Sequence, residues 1–102
     1  MRKLFAVIGL GRFGGSLVEE FHHLGFEVLA VDVKEERVNR YSQYATHAVV
    51  ANAINENNMK SLGLKNFDLV IVSFGSNIEA SILTTLLLKD LGVKQVWVKA
   101  SS

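Results

Sequence analysis

Short, uninterrupted runs of apolar residues alternate along this sequence with longer stretches of helical period. The runs cover residues 4–8, 28–31, 48–51, 69–72 and 96–98. They show no apolar–polar alternation, so the pattern predicts strands buried on both faces, as in a parallel sheet covered by helices. Strands that alternate with helices form right-handed βαβ units, and the sequence therefore predicts an α/β fold.

The stretches between the runs predict four helices. Five apolar residues share one face of the first helix, which Gly25 ends: Phe13, Leu17, Val18, Phe21 and Leu24. The second helix covers residues 34–44, with Val38 and Tyr41 facing inward, and the others cover residues 55–62 and 77–91. The order of elements predicts a Rossmann-like doubly wound parallel sheet with strand order 3-2-1-4-5.

We interpret residues 1–102 as a single domain, because this length is typical of one folding unit. The sequence ends at Ser101 and Ser102, directly after the fifth predicted strand. A complete Rossmann fold continues into a sixth strand. We therefore expect a fold truncated after its fifth strand, with a further lobe absent.

Composition excludes several classes of function. The net charge of +1 is too small for a nucleic-acid-binding surface. No apolar run is long enough to span a membrane, and no signal peptide precedes the first strand. The absence of cysteine excludes disulfides, thiolate catalysis and thiolate metal sites. These features favour a cytoplasmic protein.

The motif Gly9-Leu10-Gly11-Arg12-Phe13-Gly14 directly follows the first strand and opens the first helix. In this context each glycine has a physical task. Gly9 permits the tight turn, Gly11 lets a diphosphate approach the backbone, and Gly14 lets the helix pack on the sheet. The free N–H groups of the first helical turn then favour an anion. A tight turn without a ligand is the less favoured alternative.

Asp32 ends the second strand, 18 residues after Gly14. A carboxylate at about this spacing accepts hydrogen bonds from ribose hydroxyls and repels a 2′-phosphate, which favours NAD-like or ATP-like ligands over NADP. An alternative is purely structural, because Asp32 followed by Glu35 matches a capping box for the second helix. Both roles are compatible, since a carboxylate has two oxygens.

Arg12 lies in the first turn of a helix, where the dipole disfavours a cation by about 0.3–1 kcal/mol. A bound polyphosphate would offset that cost, and arginine grips phosphate oxygens with paired hydrogen bonds. We therefore hypothesise that Arg12 contacts the terminal phosphate and separates ATP from ADP. The alternative is a solvated arginine.

The sequence offers no local arrangement typical of catalysis. His22 and His23 are adjacent on a helix, whereas metal ligands on one helix face need a spacing of three or four. We interpret both as solvated, and Trp97 as a core or interface residue. No metal-ligating residue is identified, although a divalent cation could accompany ATP.

The last predicted helix is apolar over more than one face, because Leu86, Leu87 and Leu88 are consecutive. The sheet covers only one face. Either a further segment or a second subunit would cover the other, and we favour self-association.

The segment Phe5-Ala6-Val7-Ile8-Gly9-Leu10-Gly11-Arg12-Phe13-Gly14-Gly15-Ser16 resembles the start of the RCK domains, also called KTN or TrkA-N domains. These are cytosolic regulators of bacterial potassium channels and transporters. The similarity continues through residues 28–32, 44–49, 66–72 and 80–89 and is strongest to the N-terminal lobe of the gating subunits of Ktr and Trk uptake systems.

The resemblance implies a nucleotide-sensing, non-enzymatic subunit that binds ATP, ADP or NAD(H) and gates a membrane potassium transporter. It implies homodimers assembled into an octameric ring at the inner face of the cell membrane. It also implies further site residues at the carboxyl ends of strands: Asn52 and Ala53 near adenosine, and Ser73, Gly75 and Lys99 near the phosphates. Val33, directly after Asp32, is a further candidate binding residue. Many RCK domains carry an acidic residue at the position of Asn52, which leaves the ligand preference open.

An enzyme is the alternative function. The cofactor-binding half of an NAD-dependent dehydrogenase explains the glycine motif and Asp32 equally well. It explains Arg12 and the apolar last helix less readily. A purely structural dimerisation domain explains that helix but not the glycine motif.

Overall fold

The computed structural model describes residues 3–99, which form one parallel sheet flanked by helices. The strands lie in the order β3-β2-β1-β4-β5, which confirms the predicted topology. Their bounds are β1, Leu4–Ile8; β2, Glu27–Asp32; β3, His47–Val50; β4, Leu69–Val72; and β5, Val96–Val98. The predicted truncation of the fold, at Ser101 and Ser102, concerns residues outside the described range.

The four predicted helices are present: α1, Arg12–His23; α2, Glu35–Tyr41; α3, Glu56–Lys60; and α4, Ile78–Asp90. The second is shorter than predicted, because the chain changes at Ser42 to a 3₁₀ turn over Ser42–Tyr44. There the Ser42 hydroxyl donates to the Asn39 carbonyl, 3.0 Å away, and occupies an acceptor of the last helical turn. Within the described residues, no helix has the length and apolar character needed to cross a membrane.

The core has two layers, one on each face of the sheet. On one face, Val7 and Ala30 pack with Val18 of α1 and Val38 of α2. On the other face, the strands pack against α3 and α4 through buried apolar side chains: Ile8, Val31, Met59, Val72 and Leu88. The central strands β1, β2 and β4 are therefore enclosed on both sides, as their apolar runs predict.

The prediction of burial on both faces is wrong for the edge strands. His47 and Val50 of β3 are exposed, and so are Trp97 and Val98 of β5. Each edge strand has a neighbour on one side only, and the helices cover the centre of the sheet more fully than its margins. Trp97 is 58% exposed and is not a core residue.

The predicted inward face of α1 is correct in its middle and wrong at its ends. Val18 is buried, and Leu17 and Phe21 pack partly against the core. Phe13 and Leu24 are exposed instead. Phe13 lies in the first turn of α1 and lines a cleft, and Leu24 is the C-cap residue of the helix.

The excess apolar surface predicted for α4 is confirmed. Thr84 and Leu88 are fully buried, whereas four large apolar residues of the same helix are exposed: Ile78, Ile82, Leu83 and Leu86. Together with Val98 of β5, three of these residues line an apolar groove of about 500 Å³. We call this surface the α4 groove.

Candidate nucleotide-binding cleft

A cleft of about 910 Å³ opens at the carboxyl ends of the strands. It lies where β1 is flanked by β2 on one side and β4 on the other, so that the loops leaving these strands diverge. Open α/β sheets bind ligands at this reversal of strand order. The glycine loop, Asp32, the segment after β3 and the segment after β4 all line it.

Gly9 and Gly14 give the loop its shape. Gly9 has φ +100°, and a Cβ atom there would collide with the carbonyl oxygen of Ser73. A Cβ atom on Gly14 would collide with the carbonyl oxygen of Gly9 and would lie 3.3 Å from the Val7 side chain. These two glycines therefore allow the turn out of β1 and the close approach of α1 to the sheet, as predicted.

Gly11 is different, because a Cβ atom there would have no protein atom within 4 Å beyond its own chain neighbours. Gly11 is the N-cap of α1 and has no side chain to cap the helix, and the first turn contains no acidic residue. The N–H groups of that turn are left to solvent or a ligand, and the helix dipole adds partial positive charge. The loop therefore presents an open, anion-attracting backbone surface to the cleft.

Asp32 connects two loops at the centre of the cleft. It is 6% exposed, and its Oδ2 accepts from the Leu10 N–H at 2.7 Å while its Oδ1 accepts from the Lys34 N–H at 2.8 Å. The predicted capping box is wrong: Lys34 is the N-cap of α2, and no side chain caps that helix. Asp32 lies two residues before that N-cap, so it fixes the loop before the helix.

Arg37 of α2 adds a positive charge beside that carboxylate, with Nη1 3.7 Å from Asp32 Oδ2. Its side chain is 38% exposed and lines the cleft, as does Lys34. Bound hydroxyl groups can share the Asp32 oxygens, because each carboxylate oxygen accepts more than one hydrogen bond. This part of the cleft thus combines one buried carboxylate with a nearby guanidinium.

The glycine-loop end of the cleft is bordered by α1, β4 and β5. Arg12 and Phe13 of α1 lie at its margin, and Lys99 after β5 has its Nζ 5.4 Å from the Phe13 ring centroid. This distance is within the range of a cation–π contact, which joins β5 to the start of α1 across the cleft mouth. Ser73 and Gly75 complete the wall after β4, and Gly75 has φ +61°.

The opposite end of the cleft is formed by the loops after β2 and β3. Asn52 is exposed and lines it, and Ala53 is buried against the core. Val33 and Ile54 are apolar side chains, 64% and 51% exposed. This end therefore offers apolar surface together with one amide.

The structure brings all the predicted site residues to this cleft except two. Leu10 is buried in the core and contributes only its N–H bond to Asp32, and Gly14 is buried on the inner side of α1, against Gly9 and Val7. The sequence reasoning missed Arg37 and Ile54, which also line the cleft. Arg37 lies five positions after Asp32, and no motif relates the two residues. No cluster of three metal-ligating side chains occurs among residues 3–99.

Comparison with known sequences identifies the family. The family model of the TrkA-N domain matches residues 5–102. Ktr system potassium uptake protein A of Bacillus subtilis is 63% identical over 100 residues, covering 98% of this chain and 45% of that protein. Ktr system potassium uptake protein C of the same organism is 55% identical over 102 residues, covering 100% of this chain and 46% of that protein. The chain spans about half the length of these curated relatives.

Solved structures with the same fold include both binding domains and enzymes. The NAD(P)-binding domain of an exopolyphosphatase-related protein from Archaeoglobus fulgidus has a TM-score of 0.78 and 29% identity, covering 97% of this chain and 72% of that one. The TrkA-N domain of inner membrane protein ybaL from Escherichia coli has a TM-score of 0.80 and 20% identity. The match covers 98% of this chain and 74% of that one. UDP-glucose-4-epimerase from Stenotrophomonas maltophila has a TM-score of 0.70 and 20% identity. The match covers 96% of this chain and 36% of that one. The sequence matches distinguish among these: the chain belongs to the TrkA-N domain family.

Proposed function

We propose that this chain is a nucleotide-sensing regulatory module that binds ATP, ADP or NAD(H) and thereby gates a membrane potassium transporter. One observation carries the binding proposal: the open face of Gly11, the first turn of α1 and the Asp32 carboxylate all line one cleft. The backbone amides suit a diphosphate, and the carboxylate suits the ribose hydroxyls next to it.

The buried carboxylate favours ligands with a free 2′-hydroxyl. A 2′-phosphate beside Asp32 would bring two negative charges together in a poorly solvated site, and the Arg37 contact at 3.7 Å offsets this only in part. NADP is therefore expected to bind more weakly than NAD. Any divalent cation would accompany ATP through its phosphates.

The regulatory proposal is supported by the relatives and by the α4 groove. The B. subtilis relatives are named as potassium uptake proteins, so a membrane transporter subunit is the partner we propose. The exposed apolar face of α4 favours a homodimer, which would assemble further into an octameric ring at the inner face of the cell membrane. Gly75 and Lys99 line both the cleft and the groove, so a bound nucleotide and a partner subunit would share a wall.

The alternative function is the cofactor half of an NAD-dependent dehydrogenase, which the same cleft geometry would also serve. The two proposals differ in the event that binding triggers. A dehydrogenase changes the absorbance of the nicotinamide when a substrate is present, whereas a regulatory module changes potassium flux through a partner without consuming NADH. Sequence identity to potassium uptake proteins favours regulation.

Nucleotide binding is tested by thermal unfolding of the purified protein with ATP, ADP, NAD, NADH or NADP. A ligand present at 100 times its Kd increases the free energy of unfolding by about 2.7 kcal/mol. This raises the Tm of a domain of this size by about 10 °C or more. We expect shifts with ATP and ADP and a smaller shift with NADP. The absence of a shift with all five nucleotides would contradict the proposal.

Arg12 provides the next variant, because the hypothesis assigns it to the terminal phosphate. Arg12→Ala should weaken ATP binding about 10-fold more than ADP binding, since a charge-assisted hydrogen bond contributes about 1.5–3 kcal/mol. Arg40→Ala is the matched control, because Arg40 is an exposed arginine of α2 that does not line the cleft. An unchanged ratio of ATP to ADP affinity in Arg12→Ala would refute this role.

A further inference from the structure

Gly15 directly follows the glycine motif and lies inside α1, where glycine is less stable than alanine. Its φ is not in the left-handed region, so the backbone conformation does not require glycine. The space beside it does. A Cβ atom on Gly15 would collide with the Tyr41 ring, at Cζ, Cε2 and the hydroxyl oxygen. Glycine is therefore needed here because a side chain of another helix occupies the space.

Tyr41 is the last residue of α2, and its half-buried ring contacts both α1 and the core. The ring packs against the apolar cluster on this face of the sheet, which includes Val7, Val18 and Val38. A ring displaced by a Cβ atom on Gly15 would lose these contacts, whereas a ring that stayed in place would push α1 outwards. The contact therefore sets how closely α1 approaches α2.

Two contacts attach the start of α1 to the segment formed by β2 and α2. Before the helix, the Leu10 N–H donates to Asp32 Oδ2 at 2.7 Å. Within the first turn, Gly15 packs against the Tyr41 ring, and the Gly15 N–H donates to the Gly11 carbonyl at 2.8 Å. Gly11 lies between the two contacts, so together they fix the position and the tilt of the anion-attracting turn.

The same helix also contacts the carboxylate of the cleft. Arg37 precedes Tyr41 by four residues, so the two side chains lie on one face of α2. Arg37 has its Nη1 3.7 Å from Asp32 Oδ2. One helix thus contacts Asp32 through Arg37 and α1 through Tyr41, and a helix is a rigid support for the distance between them.

We propose that Tyr41 is a positioning residue: its packing on Gly15 holds the first turn of α1 at the distance from Asp32 that a nucleoside diphosphate requires. Ribose and diphosphate are covalently joined, so a site that binds both must hold its two halves within about 0.5 Å of the fitting geometry. Tyr41 does not line the cleft and acts through α1. The proposal rests on the proposed nucleotide binding and assigns a role to a residue that the ligand does not touch.

Gly15→Ala and Tyr41→Leu disturb the contact from its two sides. Leucine keeps the part of the side chain near the backbone but lacks the outer ring atoms that meet Gly15. The double variant should restore the fit, because the added methyl group occupies space that the ring leaves. Tyr41→Phe keeps the ring. Tyr44→Leu is the matched control, since Tyr44 packs against the same core cluster but its ring lies beside His22, 5.7 Å away between centroids.

Calorimetry measures Kd for ADP and for AMP with each variant, at a temperature where thermal unfolding shows the variant to be folded. The ratio of the two affinities isolates the second phosphate, because both ligands carry the same adenosine. We expect the preference for ADP over AMP to fall about 5-fold or more in Gly15→Ala and in Tyr41→Leu, the effect of one impaired hydrogen bond. It should recover to within about 2-fold in the double variant and stay unchanged in Tyr41→Phe and Tyr44→Leu.

The proposal is overturned if Gly15→Ala leaves the ratio unchanged, if the double variant does not recover it, or if Tyr44→Leu or Tyr41→Phe lowers it as much as Tyr41→Leu. If Gly15→Ala does not fold, the comparison of Tyr41→Leu with Tyr44→Leu decides the question, because both remove the outer part of a tyrosine ring from one cluster. Failure of ADP to bind the unmodified protein would instead overturn the proposed function.

Discussion

At the scale of single residues, two glycines of one motif serve different purposes, and this difference can be measured. Gly11→Val should fold normally, because its side chain would enter open space, but it should block the approach of a diphosphate. Gly14→Val should destabilise the fold by about 1–3 kcal/mol or more, because it would force α1 away from the sheet. Urea unfolding and nucleotide titration of both variants separate the two effects.

The opposite pattern would contradict this division of roles. A Gly11→Val protein that still binds ADP with unchanged affinity would show that the phosphates do not approach this part of the loop. Gly25→Val separates backbone strain from collision: Gly25 has φ +81° in open space after α1, so this variant should destabilise the fold through strain alone and leave nucleotide binding unchanged.

At the scale of elements, α4 has one face in the core and another exposed. Ile82 is 54% exposed and lines the α4 groove. Ile82→Lys should change monomer stability by no more than about 0.5 kcal/mol, as is usual for exposed positions, but should weaken self-association strongly by placing a charge in an apolar contact. Sedimentation velocity over a concentration series measures this effect.

Gln95→Lys is the matched control for Ile82→Lys, because Gln95 is exposed and does not line the groove. We expect it to sediment like the unmodified protein. If the unmodified protein remains monomeric at high concentration, or if Ile82→Lys self-associates equally well, then α4 does not form the subunit contact.

At the scale of the whole molecule, the cleft and the α4 groove share Gly75 and Lys99. Binding of nucleotide and self-association should therefore influence each other, and the coupling must be reciprocal. We expect saturating ATP or ADP to change the dimer dissociation constant about 5-fold or more, the lower range of typical coupling energies. Sedimentation with and without nucleotide measures the effect of nucleotide on the dimer dissociation constant. Nucleotide titration at two protein concentrations measures the effect of dimerisation on nucleotide affinity, and the two effects should be equal. Unequal values, or no change in either, would argue against communication between the two surfaces.

The sequence by itself determined the secondary structure, the strand order and the glycine loop. These features depend on local patterns. The period of apolar residues determines strands and helices, and glycine determines the tight turns. The handedness of βαβ units determines the topology of the sheet. The boundaries of α1 and α4 and the tasks of Gly9 and Gly14 were predicted correctly for this reason.

Tertiary structure alone decided what each site residue contacts. The Leu10 N–H reaches Asp32 across 22 residues of chain, and Arg37 joins them only because α2 packs back towards β2. The predicted capping role fails because the N-cap of α2 is Lys34 and not Asp32. Likewise, the pattern of apolar runs does not reveal which strands lie at the edges and remain exposed. Such contacts depend on distances and directions between groups, which a pattern of residue types does not contain until the chain has folded.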